Sequence, residues 1–239
     1  MQKINYFKLQ AKNLFRDWKL SGLPNQKEND EVTNEGRYFD VAAIARDFYV
    51  DNENFKLMHA QHIIAKLAGF QKWNDFIGTT ADELDNAKIR YGESKYLTPE
   101  NQRQNLIGMF KDQAESFFRT WKNRKFTHYD TQGNAWYDYD REDFFDFLMI
   151  FDFDEEHFTL ENAKKIVLTG SGFKTWNELE NASLVDLQIS KLIYMNLDWN
   201  ETELCMSEYK ETINKLNISD DFEKLQYFRK NIFHKYEQY

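Results

Sequence analysis

The chain has 239 residues, of which 41% are hydrophobic and 17% aromatic, and its 40 acids against 31 bases give a net charge of −9. That is enough apolar material to bury a sizeable core in one or two domains, although the mean hydropathy is −0.78. The acidic balance argues against tight non-specific binding to nucleic acid, which needs a basic footprint, and a lone cysteine, Cys205, excludes an internal disulfide.

Two prolines and nine glycines leave little punctuation, so long helices are expected. The start, MQKINYFKLQAKNLF, lacks the apolar stretch of a signal peptide. No later run reaches the roughly eighteen apolar residues of a membrane span. With an unpaired cysteine, these features predict a soluble cytoplasmic protein without membrane association.

The first predicted helix covers residues 5–20 and puts Ala11, Leu14, Phe15 and Trp18 on one face. Residues 21–36 are polar and read as a loop, and residues 38–49 are apolar enough for a buried helix. Leu57, Ala60, Ile63, Ile64 and Leu67 then recur at steps of three and four, forming one apolar helix face. Gly69 stands where that helix should end in a left-handed residue, a conformation glycine adopts without strain. Phe70 comes next, at the position that folds back on the last turn, and Trp73 is large enough to wedge the joint to the next helix. Thr80 to Glu83 is a capping box opening a helix that runs to about Arg90.

Thr98-Pro99-Glu100 starts a long helix, with Thr98 as N-cap and Pro99 at the first helical position. It should reach about Lys122 and connect the helices on its N-terminal side to those on its C-terminal side. Aromatic residues flank a Gly-Asn turn across residues 126–139, the pattern of a small β-hairpin. A second buried helix is expected over 141–151, a helix over 201–216, and a last one capped by Ser219 that carries Phe222, Leu225, Phe228, Ile232 and Tyr236.

Much of this pattern occurs twice. Residues 51–74 reappear as residues 154–177, displaced by 103 positions without a gap. Phe48, Asp51, Phe55, Ala60, Ile63, Gly69, Phe70, Trp73 and Asn74 meet Phe151, Asp154, Phe158, Ala163, Ile166, Gly172, Phe173, Trp176 and Asn177. Upstream, AKNLFRDWK at 11–19 faces AESFFRTWK at 114–122, and the capping box is echoed by Ser183 to Asp186. The fold class predicted is mainly α: two tandem helical repeats (residues 1–97 and 98–197) and a C-terminal helical extension (198–239). The structural motif of each repeat is the Gly-Phe stop and Trp wedge, namely Gly69, Phe70 and Trp73, then Gly172, Phe173 and Trp176.

The segments 60–74 and 163–177, with the form A-x-x-I-x-x-x-x-x-G-F-x-x-W-N, resemble the helical domain of bacterial proteins labelled glyoxalase-related. The resemblance implies a helical fold and carries no activity to particular residues. The metal-binding βαβββ pattern of true glyoxalases is not visible in the sequence.

Each candidate for chemistry competes with a structural role. His59 and His62 share a helix face, but their equivalents are Asn162 and Lys165, and no third ligand completes a zinc set. Asp152, Asp154 and Glu156 alternate like the start of a calcium loop, yet His157 and Ala163 stand where glycine and glutamate are needed, so Asp154 is assigned to the helix's N-terminal approach. Cys205 lies on a predicted helix with no histidine nearby, which suits packing better than nucleophilic work. Glu142, Asp143 and Asp146 beside Phe144, Phe145 and Phe147 suit a solvated acidic face better than a cleft. No catalytic, cofactor or metal residue is assigned.

The surface expected to recognise a partner is the hairpin, through Tyr129, Trp136, Tyr137 and Tyr139, with Trp136 partly exposed. The function expected is a non-enzymatic protein-interaction role of bacterial type, as an adaptor, antitoxin-like protein or mobile-element accessory, with another protein as partner. The first alternative is a nucleic-acid-associated protein using Lys122, Arg124 and Lys125; the second is an enzyme with a site between the repeats.

Overall fold

Helix formation follows the apolar periodicity. In the computed structural model the described residues are 2–21, 36–51, 53–92, 94–129, 135–139 and 144–236, so the loop expected over 21–36 falls largely outside them. The architecture is mainly helical, with one two-stranded antiparallel sheet. The chain divides into two compact units, Met1–Asn105 and Leu106–Tyr239.

The first unit contains α1 (Gln2–Leu20), α2 (Val41–Phe48), α3 (Leu57–Leu67), α4 (Trp73–Ile77), α5 (Ala81–Gly92) and the first turns of α6 (Pro99–Lys122). Phe7, Ala11, Leu14 and Trp18 of α1 are buried against Ala60, Ile63 and Ile64 of α3, Phe76 of α4 and Tyr91 of α5. Each such large apolar side chain contributes roughly 1.5–3 kcal/mol when fully buried. Trp18 stacks on Phe55 at 4.0 Å, and Phe7 meets Phe76 edge-on at 4.5 Å. Buried Asp17 accepts from the amides of Tyr38 (2.6 Å) and Phe39 (3.0 Å), which fixes where the chain enters α2.

The second unit holds the rest of α6, β1 (Lys125–Tyr129), β2 (Ala135–Asp138), α7 (Phe144–Phe151), α8 (Leu160–Ser171), α9 (Trp176–Asn181), α10 (Leu184–Asn196), α11 (Trp199–Leu216) and α12 (Asp221–Tyr227). Phe110, Phe117, Phe144, Phe158, Ile166 and Leu179 form one core cluster. Val185, Ile189, Cys205, Tyr209, Phe228 and Phe233 form another, so the C-terminal helices pack on α10 rather than standing apart.

Starts of four helix pairs, α2 and α7, α3 and α8, α4 and α9, α5 and α10, are each separated by 103 residues. Two of the pairs, α2 with α7 and α3 with α8, also close alike. Gly69 (φ 92°) and Gly172 (φ 75°) are left-handed. Phe70 and Phe173 donate their amides back to Ala65 and Leu168, while the two glycine amides reach Lys66 and Thr169. Both are full Schellman closures. Tyr49 (φ 51°) and Asp152 (φ 50°) close α2 and α7 in the same left-handed region, where non-glycine residues are strained.

Three expectations need correction. The helices over 38–49 and 141–151 are not buried all round: α7 turns Phe144, Phe147 and Leu148 inward and Met149 and Ile150 outward. The last helix is capped by Asp220, whose carboxylate accepts from the Glu223 amide at 2.9 Å, and not by Ser219. Its continuation widens into a π turn at Phe228–Ile232 and tightens into a 3₁₀ turn at Phe233–Lys235. That change of pitch lets Phe228, Ile232 and Phe233 all face the core, while Phe222 stays exposed.

Candidate interaction surface

The hairpin grows out of the end of α6 and is tied to it by one arginine. Arg124 lays its guanidinium over Trp121 (4.2 Å) and Tyr137 (4.7 Å) and donates to the Trp121 carbonyl at 2.9 Å. The strands pair Lys125 with Asp138 and Phe126 with Tyr137, with an irregularity between Phe126 and His128. Trp121 donates its indole N–H to the Glu155 carbonyl at 2.7 Å, and Tyr139 donates its hydroxyl to the Glu155 carboxylate. Burial, and then that bond to Glu155, pushes the Tyr139 phenol well above its ordinary range.

Of the aromatic residues expected to recognise a partner, Tyr137 is half-buried under Arg124 and Tyr139 is half-buried against Phe144 at 4.8 Å. The side chains of Tyr129 and Trp136 lie outside the described residues. The hairpin aromatics that can be placed thus work as a clasp between α6, β2 and α7. Arg124 is held by that clasp, which leaves Lys122 and Lys125 as the exposed members of the basic trio.

Sequence reasoning missed the outward face of α7. Asp146, Met149 and Ile150 are spaced at i, i+3 and i+4, with Met149 68% and Ile150 61% exposed. Directly after them Phe151 and Phe153, both half-buried, stack at 5.3 Å, and the Lys165 ammonium lies 5.4 Å from the Phe153 ring. A signal was available. The residues 103 positions earlier are Arg46 and Asp47, a charged pair that belongs in water and marks the same helix positions as outward.

Acids surround this face in the sequence: residues 138–156 hold nine carboxylates and one arginine, against five and two in residues 35–53. Asp146, Asp152, Asp154 and Glu156 are exposed. Asp154 accepts from the Glu156 amide at 2.8 Å and meets His157 at 2.7 Å. The bond to His157 holds Asp154 below the usual carboxylate range, and the same contact raises His157. Asp154 therefore closes a turn five residues ahead of Thr159, the N-cap of α8.

Of the remaining candidates, His59 and Cys205 have structural roles. His59 uses Nδ1 to accept from the Lys56 amide at 3.2 Å, and Asn162 accepts from the Thr159 amide at 2.8 Å. A histidine and an asparagine thus perform one capping job at equivalent positions. Among the described residues no group of three or more His, Cys, Asp and Glu side chains could hold a metal ion. Cys205 is buried, which pushes its thiol up to about 12. Asp146 is exposed, while Glu142 and Asp143 lie outside the described residues. No described helix is long and apolar enough to cross a membrane.

Comparison with protein-family models, with curated proteins and with solved structures finds no match to this chain.

Proposed function

We propose that the chain is a non-enzymatic protein-interaction module built from two copies of one helical unit, and that it binds its partner through the second. The observation that carries this reading is the pair Met149 and Ile150, two large apolar side chains held in water on a helix whose opposite face is already packed. Exposed apolar clusters rimmed by polar groups mark interaction sites. The 103-residue spacing of helix starts supports duplication, and duplication explains how one copy could diverge outward while keeping its core. An adaptor, antitoxin-like or mobile-element accessory role in the bacterial cytoplasm fits such a module.

Nucleic-acid binding is the weaker reading. Arg124 is held between Trp121 and Tyr137, and the acids around α7 would repel phosphates. The test is affinity recovery from native cell extract with and without nuclease, read by mass spectrometry. A stoichiometric protein that survives nuclease is the expected result. Recovery that vanishes with nuclease would replace this reading with the nucleic-acid one, and an empty eluate would remove it.

A further inference from the structure

Resting on the interaction reading above, we infer that the outward face of α7 binds a basic amphipathic helix of a partner protein, with Met149 and Ile150 as the apolar floor and the exposed acids Asp146, Asp152 and Glu156 as the charged rim. The floor supplies what an amphipathic helix needs to bury, since Met149 and Ile150 offer adaptable aliphatic surface. The rim chooses the partner's sign. Asp146, Asp152 and Glu156 are exposed and form no ion pair among the described residues. Asp154 is already engaged with His157.

Charge in the surrounding sequence is one-sided. The stretch 138–156 alone has an excess of eight negative charges in a chain whose total is −9. Lysine and arginine on the flanks of an incoming helix would neutralise that excess and would be steered to it from solution. The same charge repels anionic lipid headgroups and nucleic-acid phosphates, which separates this partner from a membrane surface or a duplex. The equivalent face of the first unit carries Arg46 and Asp47 in an ion-paired cluster and has no apolar floor to offer.

The test uses the full chain and a labelled Leu/Lys peptide of roughly five helical turns with leucines along one face, read by fluorescence anisotropy. A scrambled peptide of the same composition and a Leu/Glu peptide serve as controls. Saturable binding of the Leu/Lys peptide is expected, with about tenfold or greater weakening in Met149→Ser/Ile150→Ser. Asp146→Asn/Asp152→Asn/Glu156→Gln should weaken it comparably at low salt and less at high salt. All five positions are exposed, so an unchanged melting temperature separates lost binding from lost fold. Equal binding of the scrambled peptide, or indifference to both sets of substitutions, would overturn the inference. If the native partner is recovered equally well by wild type and by Met149→Ser/Ile150→Ser, this surface is the wrong one and the broader interaction reading stands. If no partner is recovered at all, that reading falls first.

Discussion

Helices α2 and α7 start 103 residues apart and end alike, yet they face water with opposite chemistry. In α2, Asp47 is the hub of a polar cluster: Arg46 (2.9 Å), Lys95 (2.8 Å) and the Tyr96 hydroxyl (3.0 Å) all donate to it. In α7 the same two positions are Met149 and Ile150, and nothing described covers them. Inward positions behave differently. Ile44 and Phe147 are both buried, and Phe48 and Phe151 both sit half-buried beside a lysine ammonium. Packing constrains the inner face of each helix. The outer face is free to become a self-satisfied ion cluster in one unit and an unsatisfied apolar strip in the other.

If the inner faces are as similar as the offset implies, their differences should appear as graded stability losses. The largest is expected at the tryptophans of α1 and α6. Trp18 is fully buried and stacked on Phe55, so Trp18→Ala should cost about 3–5 kcal/mol in urea unfolding. Trp121 meets Phe158 at 6.2 Å and is only half-buried, so Trp121→Ala should cost roughly half as much, including its lost bond to Glu155. Equal losses would mean that the two joints are loaded alike, and the proposed divergence would shrink to the surface.

The glycine stops give a second contrast. A Cβ on Gly172 would lie 2.3 Å from Met206 Cγ, deep in the second unit, whereas a Cβ on Gly69 would meet the movable end of Arg90 at 2.9 Å. Both residues have positive φ, which alone costs a substituted residue about 1–2 kcal/mol. Gly172→Ala adds overpacking of about 1–3 kcal/mol, so it should destabilise clearly more than Gly69→Ala. A reversed order in denaturant midpoints at constant slope would show that Met206 moves aside more readily than Arg90.

These glycines were legible in the sequence, and so were most helices, because a Gly-Phe stop and a three-four apolar rhythm are local signals. The inward faces of α1 and α3 could be named from periodicity: Ala11, Leu14, Trp18, Ala60, Ile63 and Ile64 are all buried, and Phe15, Leu57 and Leu67 are half-buried. The candidate surface was not legible from α7 alone. FFDFLMIF is apolar almost throughout, and periodicity cannot assign an inner face where nearly every position qualifies. Only its charged equivalent in α2 distinguishes the two sides. The hairpin aromatics misled for the opposite reason: a tyrosine has both a ring to bury and a hydroxyl to bond, and Tyr139 does both against Phe144 and Glu155.

Capping offers a smaller effect with a gain in one unit and a loss in the other. Thr159 and Lys56 hold nearly the same extended backbone at the starts of α8 and α3, but only Thr159 accepts an amide with its side chain, from Asn162 at 3.2 Å. Thr159→Ala should cost about 1 kcal/mol. Lys56→Thr should raise stability by roughly 0.5–1 kcal/mol, because His59 already supplies the reciprocal half of the box. A loss on Lys56→Thr would mean that the two helix starts differ in more than their side chains.

The smallest effect is the pH dependence that Asp47 contributes. Hydrogen bonds from Lys95, Arg46 and Tyr96 hold the Asp47 carboxyl far below the usual carboxylate range. A depressed carboxyl contributes stability that is fully present above its unfolded value, near 3.9, and is lost as pH falls through the folded value. Below about pH 4 the native state should therefore shed a contribution that Asp47→Asn never had, and the wild-type and variant stability curves should converge on acidification. Exposure and salt screening keep the contribution small. At the equivalent position Ile150 has nothing to titrate, and Ile150→Ser should shift stability without changing its slope against pH. Curves for Asp47→Asn that stay parallel to wild type throughout the acid range would show that the cluster on α2 holds Asp47 no better than water does.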